Sequence, residues 1–259
     1  MTVLRHGAYL CLQRTSPLHE LSAPGLEALA DRLELANEFD ASTGHPAQAF
    51  ALLKRVDIVQ RQTPDDALSQ AEAIVHVASP SGETVRRFCA EAELLLAHEI
   101  DVHVIPGVVR PTNFTGGAMH DFAYAAQRQQ ERGPAMPHAF IVPMRKAPEW
   151  WAKNWMERHT YFLPRYDDDG RMLAEGHALT AAAGIPHLMR RTYRNDLEPA
   201  PNGAYDFVNY FECADEGVPI FHSVCAALRD VARNPEWRFV AEGPTWHGWR
   251  VKSWRQLFE

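Results

Sequence analysis

The amino-acid sequence predicts an α+β protein built from two tandem ferredoxin-like halves. Strand-like and helix-like segments follow one another in the order βαββαβ over residues 5–109, and the same order returns over residues 139–243. This order is that of the split βαβ unit. Because helices cover one face of each sheet, the opposite faces must cover each other, by packing face to face or by closing into an α/β barrel. We therefore predict two antiparallel sheets packed as an α/β barrel, with the ligand cavity between them.

The first half, residues 1–115, is defined by short apolar runs and by helical spacing of Leu and Ala. Ser81 precedes the strongest helical pattern and is the expected N-cap, because its hydroxyl can accept a hydrogen bond from the first turn. The predicted strands are 5–13, 55–60, 73–78 and 101–109, and the predicted helices are 22–41 and 81–98.

Residues 116–137 are rich in Gly, Gln, Ala and charge, which indicates a linker. The second half then runs over 138–259. Pro148 favours a helix start, because the first turn does not need the N–H that proline lacks. The predicted strands are 139–144, 187–194, 205–213 and 237–243, and the predicted helices begin at 148 and span 219–232.

Composition narrows the class of protein. The chain has 259 residues, 46% of them hydrophobic and 23% charged, which is typical of a globular fold. A net charge of −7 argues against nucleic-acid binding. No apolar run approaches the roughly 20 residues of a membrane helix, and no signal peptide is evident at the N-terminus. Four scattered cysteines fit buried thiols better than a zinc site or disulfides. We expect a cytoplasmic protein that binds neither nucleic acid nor membrane.

Generic catalytic motifs such as GxSxG, HExxH and a Gly-rich phosphate loop are missing from the sequence. Several short motifs in the second half instead follow one another at characteristic spacing. They are Lys146-Ala-Pro-Glu-Trp-Trp151, Glu157-Arg158, Tyr210-Phe211-Glu212 and Leu228-Arg229. In their order and spacing, residues 138–250 resemble the chlorite dismutase family of haem proteins. The first half resembles that family only in its element order and in Arg110-Pro-Thr-Asn.

The resemblance implies haem b, with its iron held by one histidine and an arginine on the opposite side. In the family the histidine precedes the arginine by thirteen residues, and here His177 precedes Arg190 by thirteen. An imidazole can bind haem iron, and a permanently charged guanidinium can hold an anionic ligand. On an ideal strand Leu188, Arg190 and Thr192 share one face.

One departure from the family pattern affects the iron ligand. The family histidine follows the Glu-Arg pair by about seven residues, where this chain has Arg165-Tyr166. Choosing His177 therefore requires a twelve-residue insertion over 163–174, with a turn at Asp167–Gly170. Three alternatives stay open: the insertion extends one wall of the pocket, the haem ligand has been lost, or Tyr166 binds the iron as a phenolate.

The resemblance also implies roles around the haem. An acceptor on the second nitrogen of the histidine orients its ring, and Asp230 is the first choice, with Glu236 as the alternative. Lys146 would reach a haem propionate, and Trp150 and Trp151 would line the haem.

We therefore predict a haem b-dependent oxidoreductase that cleaves Cl–O or O–O bonds of a small oxidant or anion, in a homo-oligomer. The alternatives are a haem-free monooxygenase-like or isomerase-like enzyme on the same barrel, or a haem carrier without catalysis.

Overall fold

A computed structural model describes residues 6–15, 49–62, 66–109 and 135–258. The predicted helix over 22–41, the segment 110–113 and most of the predicted linker lie outside these described residues. Eleven strands and six α-helices are described, numbered here in chain order.

The strands are β1 (His6–Arg14), β2 (Ala49–Val59), β3 (Ala73–Ser79), β4 (Ile100–Val108), β5 (His138–Lys146), β6 (Arg165–Tyr166), β7 (Met172–Ala174), β8 (Met189–Arg194), β9 (Phe207–Cys213), β10 (Val240–Glu242) and β11 (Thr245–Val251). The helices are α1 (Asp66–Gln70), α2 (Gly82–Leu96), α3 (Pro148–Trp151), α4 (Trp155–Thr160), α5 (Gly176–Ala181) and α6 (Gly217–Arg229).

Both halves have the ferredoxin-like strand order, as predicted. In the first half the order across the sheet is β2-β3-β1-β4, and in the second half it is β8-β9-β5-β11. If the strands of each half are counted from one to four, both orders are 2-3-1-4. The inserted pair β6–β7 forms a separate two-stranded sheet.

The two sheets join edge to edge and form an antiparallel barrel. The last strand of each half pairs with the second strand of the other half, because β11 pairs with β2 and β4 pairs with β8. The β11–β2 contact is long, whereas β4 and β8 pair only at Val108 and Arg194. The barrel, and not a face-to-face sandwich, is therefore the arrangement that this sequence adopts.

The predicted last strand, 237–243, is wrong for most of its length. Residues 235–239 form a 3₁₀ helix, and only β10 follows it within the predicted strand 237–243. The strand that completes the second half is β11, which the pattern did not indicate because His247, Gly248 and Arg250 interrupt its apolar alternation.

Three layers of buried side chains hold the fold together. The barrel interior is filled by large residues from both halves, among them Tyr9, Tyr193, Tyr210 and Trp246. Outside the barrel, α2 packs on β1 and β3 in the first half, and α6 packs on β5 in the second half. The Ser81 side chain accepts a hydrogen bond from the Thr84 N–H at 3.3 Å, which confirms the predicted N-cap of α2. All four cysteines are buried thiols.

None of the helices within the described ranges is both long enough and apolar enough to cross a bilayer.

Candidate functional site

A cavity lies in the second half, between the outer face of its sheet and the helices that cover that face. Its empty volume, with the solvent at its mouth included, is about 790 Å³. The prediction of a cavity between the two sheets was wrong in location, because aromatic side chains fill the barrel interior.

The floor of the cavity is formed by alternate residues of two paired strands. From β8 come Arg190, Thr192 and Arg194, and opposite them on β9 stand Phe211, Asn209 and Phe207. The intervening residues of β8 point into the barrel, because side chains alternate along a strand. Arg190 and Thr192 therefore share a face, as predicted, and Leu188 borders an adjoining cavity on the same side.

His177 lines the cavity from the start of α5. The preceding Gly176 has a φ of +71°, and a Cβ there would lie 2.4 Å from the Leu163 carbonyl oxygen, so glycine is required. The backbone N–H groups of Glu175 and Gly176 both donate to the Arg233 carbonyl oxygen, at 2.9 and 3.1 Å. The Arg233 guanidinium also makes two hydrogen bonds to the Glu175 carboxylate. These contacts fix the chain immediately before His177.

His177, Glu236 and Lys146 form a chain of hydrogen-bonded side chains. Nδ1 of His177 lies 2.6 Å from Oε2 of Glu236, and the other oxygen of the Glu236 carboxylate accepts a hydrogen bond from Lys146 Nζ. The Glu236 and Lys146 side chains are only 6% and 3% exposed. Burial alone would raise the pKa of Glu236, but the charges and hydrogen bonds of Lys146 and His177 outweigh it and lower the pKa to about 2. Glu236 is therefore a carboxylate at neutral pH.

The sequence predicted Asp230 as the first choice for the hydrogen-bond acceptor on His177, and this geometry does not support it. Asp230 is the C-cap of α6, and its carboxylate accepts from the Ala232 backbone N–H at 2.9 Å. After α6 the chain turns, with Asn234 N–H donating to the Asp230 carbonyl oxygen, and this turn brings Glu236 to His177. The acceptor is therefore the alternative, Glu236.

Lys146 makes two contacts in the site. Its ammonium group binds Glu236 and lies 4.2 Å from the centre of the Trp150 ring, an arrangement that favours a cation–π interaction. Lys146 thus contacts Glu236, the residue that orients His177. Its contact with a haem propionate stays a prediction.

Both tryptophans line the cavity, as the sequence analysis proposed for a haem pocket. Trp150 is 1% exposed and packs against Phe162 and Phe239. The indole N–H of Trp151 is buried and has no hydrogen-bond acceptor within the described residues.

The insertion forms the hairpin β6–β7, closed by the predicted turn. The Asp167 carboxylate accepts from the backbone N–H groups of Asp169 and Arg171 at 3.0 and 2.8 Å. No residue of 163–174 lines either described cavity, so the insertion does not extend the pocket wall. Tyr166 is 54% exposed on this hairpin and lies outside the cavity lining, which argues against it as an iron ligand.

Sequence reasoning missed part of the cavity floor. Asn209, Arg194 and Phe207 were not named, although period-two alternation from Arg190 and Phe211 would have found all three. A second cavity, of about 640 Å³ with the solvent at its mouth included, adjoins the first. The two cavities share His177, Arg190, Phe211, Cys225 and Leu228. The other walls of the second cavity are almost entirely apolar.

Within the described ranges, no three His, Cys, Asp or Glu side chains are grouped so that they could bind a metal ion. No protein-family model and no curated protein matches the chain.

Solved structures, by contrast, match over the whole length of the chain. A mutant chlorite dismutase from Candidatus Nitrospira defluvii in complex with cyanide superposes with a TM-score of 0.69 at 16% identity, covering 100% of this chain and 95% of that one. The same enzyme in complex with imidazole gives 0.68 at 16% identity, with the same coverage. An arginine-to-lysine mutant of it also gives 0.68, at 16% identity and the same coverage.

The fold defined by these strands and helices is therefore a dimeric α/β barrel, in which two ferredoxin-like units form one closed sheet. More particularly, it is the chlorite dismutase fold, which confirms the fold that the motifs of the second half predicted.

Proposed function

We propose that this protein is a haem b-dependent oxidoreductase whose cofactor binds in the second-half cavity, with His177 as the ligand to iron. The observation that carries the proposal is the chain His177–Glu236–Lys146 at one wall of a largely apolar cavity whose floor bears Arg190. The likeness of the whole fold to chlorite dismutases supports it.

The residues present fit a haem. Since Nδ1 of His177 is hydrogen-bonded to Glu236, Nε2 is the nitrogen that can bind a metal. An anionic acceptor on Nδ1 orients the ring and makes it a stronger ligand. The walls include Phe162, Trp237 and Leu228, which suit a flat apolar ring system.

When bound, haem supplies the iron centre at which an O–O or Cl–O bond is broken. The side chains perform the other tasks. Glu236, held ionised by Lys146, keeps the His177 ring in one orientation and its Nδ1 proton in place. Arg190 contributes a fixed positive charge that holds an anionic substrate or a leaving oxyanion in a cavity of low polarity.

Haemin titration of the purified protein tests this proposal. We expect a Soret band with one haem per chain, and a haemin affinity reduced at least tenfold in His177→Ala, because the only proposed protein bond to iron is lost. His187→Ala is the matched control, since His187 is exposed and lies outside both cavities. Absence of a Soret band in the wild-type protein would refute haem binding. Equal affinity in wild type and His177→Ala would refute the ligand assignment.

A further inference from the structure

The middle row of the cavity floor carries a polar pair. Thr192 on β8 faces Asn209 on β9, between the row Arg190–Phe211 and the row Arg194–Phe207. Both side chains line the cavity and are partly buried. A packed layer would place apolar residues here, so this pair points to a ligand that forms hydrogen bonds.

The contacts of the pair define which atoms it presents. The Thr192 hydroxyl oxygen and Asn209 Oδ1 are 2.7 Å apart, and Asn209 Nδ2 is 3.6 Å from Met144 Sδ. A thioether sulfur accepts hydrogen bonds but cannot donate them, so the amide nitrogen must face Met144 and the amide oxygen must face Thr192. The threonine hydroxyl therefore donates to Asn209.

This orientation leaves one acceptor and one donor for a ligand. Having donated its proton, the Thr192 oxygen retains lone pairs, and the Asn209 amide retains its second N–H. Within the described residues, no further hydrogen bond to either side chain is formed. Arg190, two residues along the same face, adds positive charge beside them.

We infer that the Thr192–Asn209 pair is a binding subsite for an uncharged organic hydroperoxide, an inference that rests on the proposed function for the identity of the reaction. The O–H of a hydroperoxide donates to the Thr192 oxygen, and its oxygens accept from Asn209. Phe207 and Phe211, on either side of Asn209 along β9, suit its organic group. An oxochlorine anion has acceptors only and leaves the Thr192 oxygen without a partner, and that mismatch disfavours it.

Calorimetric titration with two unreactive probes tests this subsite, in protein with and without haemin. Benzohydroxamic acid carries an O–H donor and acceptors on an aromatic ring, whereas benzoate carries acceptors only. Thr192→Val removes the hydroxyl with little change of shape. It should lower the affinity for benzohydroxamic acid about fivefold, as expected for the loss of one neutral hydrogen bond. Benzoate affinity should stay within about twofold in the same variant, and Thr192→Ser should restore hydroxamate binding.

Asn209→Leu removes the N–H donor that can bind either probe, so it should lower the affinity for both probes. Equal effects of Thr192→Val on the two probes, or no effect on either, would overturn the subsite. The result is separable from that of haem binding, since a protein that binds no haemin can still discriminate the probes. Conversely, a protein with a normal Soret band that fails to discriminate them keeps the proposed function and loses this inference.

Discussion

The two halves have the same strand order but fill the space between sheet and helix differently. In the first half α2 inserts Val85, Phe88 and Ala92 directly against Leu10 and Val75, so that apolar side chains fill the described part of this layer. In the second half α6 contacts β5 through stacked Phe140 and Phe221, but the layer beside β8 and β9 is open. One topology therefore supports either a packed layer or a binding cavity.

The difference originates in the second and third strands of each unit. In the first half the outer faces of β2 and β3 carry residues such as Phe50, Leu52 and Val77, and Trp254 from the C-terminal segment packs over Phe50. In the second half the outer faces of β8 and β9 carry Arg190, Thr192 and Asn209 among others. These polar side chains cannot be buried against apolar helices without loss of their hydrogen bonds, so they accompany the cavity.

The largest expected effect on stability comes from breaking the buried ion pair of Lys146 and Glu236 in the second half. The described contacts of the first-half layer include no ion pair buried to the same extent. Lys146→Met leaves Glu236 charged and buried, and should lower the free energy of unfolding by about 4 kcal/mol. Urea denaturation measures this, with the double variant Lys146→Met/Glu236→Leu expected to recover most of the loss.

The matched control lies in the first half. Arg86 and Glu83 form an ion pair whose side chains are 73% and 77% exposed, so Arg86→Met should change stability by less than about 0.5 kcal/mol. Similar losses in Lys146→Met and Arg86→Met would show that the second-half pair contributes no more than a surface pair.

The Glu236 carboxylate should also make the stability of the protein depend on pH. The pKa of Glu236 is lowered from 4.5 to about 2 in the folded protein, so its contribution is complete above about pH 5 and is lost as the pH falls toward 2. The expected contribution is on the order of 3 kcal/mol. Thermal or urea unfolding of wild type and Glu236→Gln between pH 6 and 3 should show the difference narrowing on acidification. A constant difference across that range would contradict the lowered pKa.

Features that depend on neighbouring residues could be predicted from the sequence, whereas features that depend on residues far apart in the chain could not. The N-cap at Ser81 and the turn at Asp167 follow from neighbouring residues, and the spacing of His177 and Arg190 is carried by one short stretch of chain. Glu236 is 59 residues from His177, and its selection over Asp230 depends on the turn after α6. The location of the cavity could not be predicted from neighbouring residues either, because it depends on which face of the sheet, inside or outside the barrel, the aromatic residues cover.

One leucine in each layer can be truncated to alanine. Leu10 is fully buried in the first-half layer, and Leu10→Ala should cost about 4 kcal/mol because it creates a new cavity. Leu228 borders both existing cavities, so Leu228→Ala should cost about 2 kcal/mol, chiefly the loss of apolar transfer free energy. Urea unfolding of the two variants measures the difference. Equal costs would indicate that the second-half layer is as tightly packed as the first.

The smallest effect is expected from the β6–β7 hairpin of the second half. Arg165 and Ala174 are paired across it, so residues 166–173 can be replaced by a two-residue Asn-Gly turn. Met172 and Leu173 are 49% and 60% exposed. The chain at His177 is held instead by the bonds of Glu175 and Gly176 to the Arg233 carbonyl oxygen and by the His177 N–H, which donates to the Tyr161 carbonyl oxygen at 3.1 Å. Stability should therefore change by less than about 1 kcal/mol, and haemin affinity should stay within about twofold.

Gly176→Ala is the positive control for this shortening. A Cβ at position 176 meets the Leu163 carbonyl group in a backbone conformation with φ of +71°, so this variant should displace the start of α5 and weaken haemin binding clearly. A hairpin deletion that weakened haemin binding as much as Gly176→Ala would mean that the hairpin helps to position His177. A neutral deletion would assign that positioning to the Arg233 and Glu175 contacts, which connect α5 to the turn that carries Glu236.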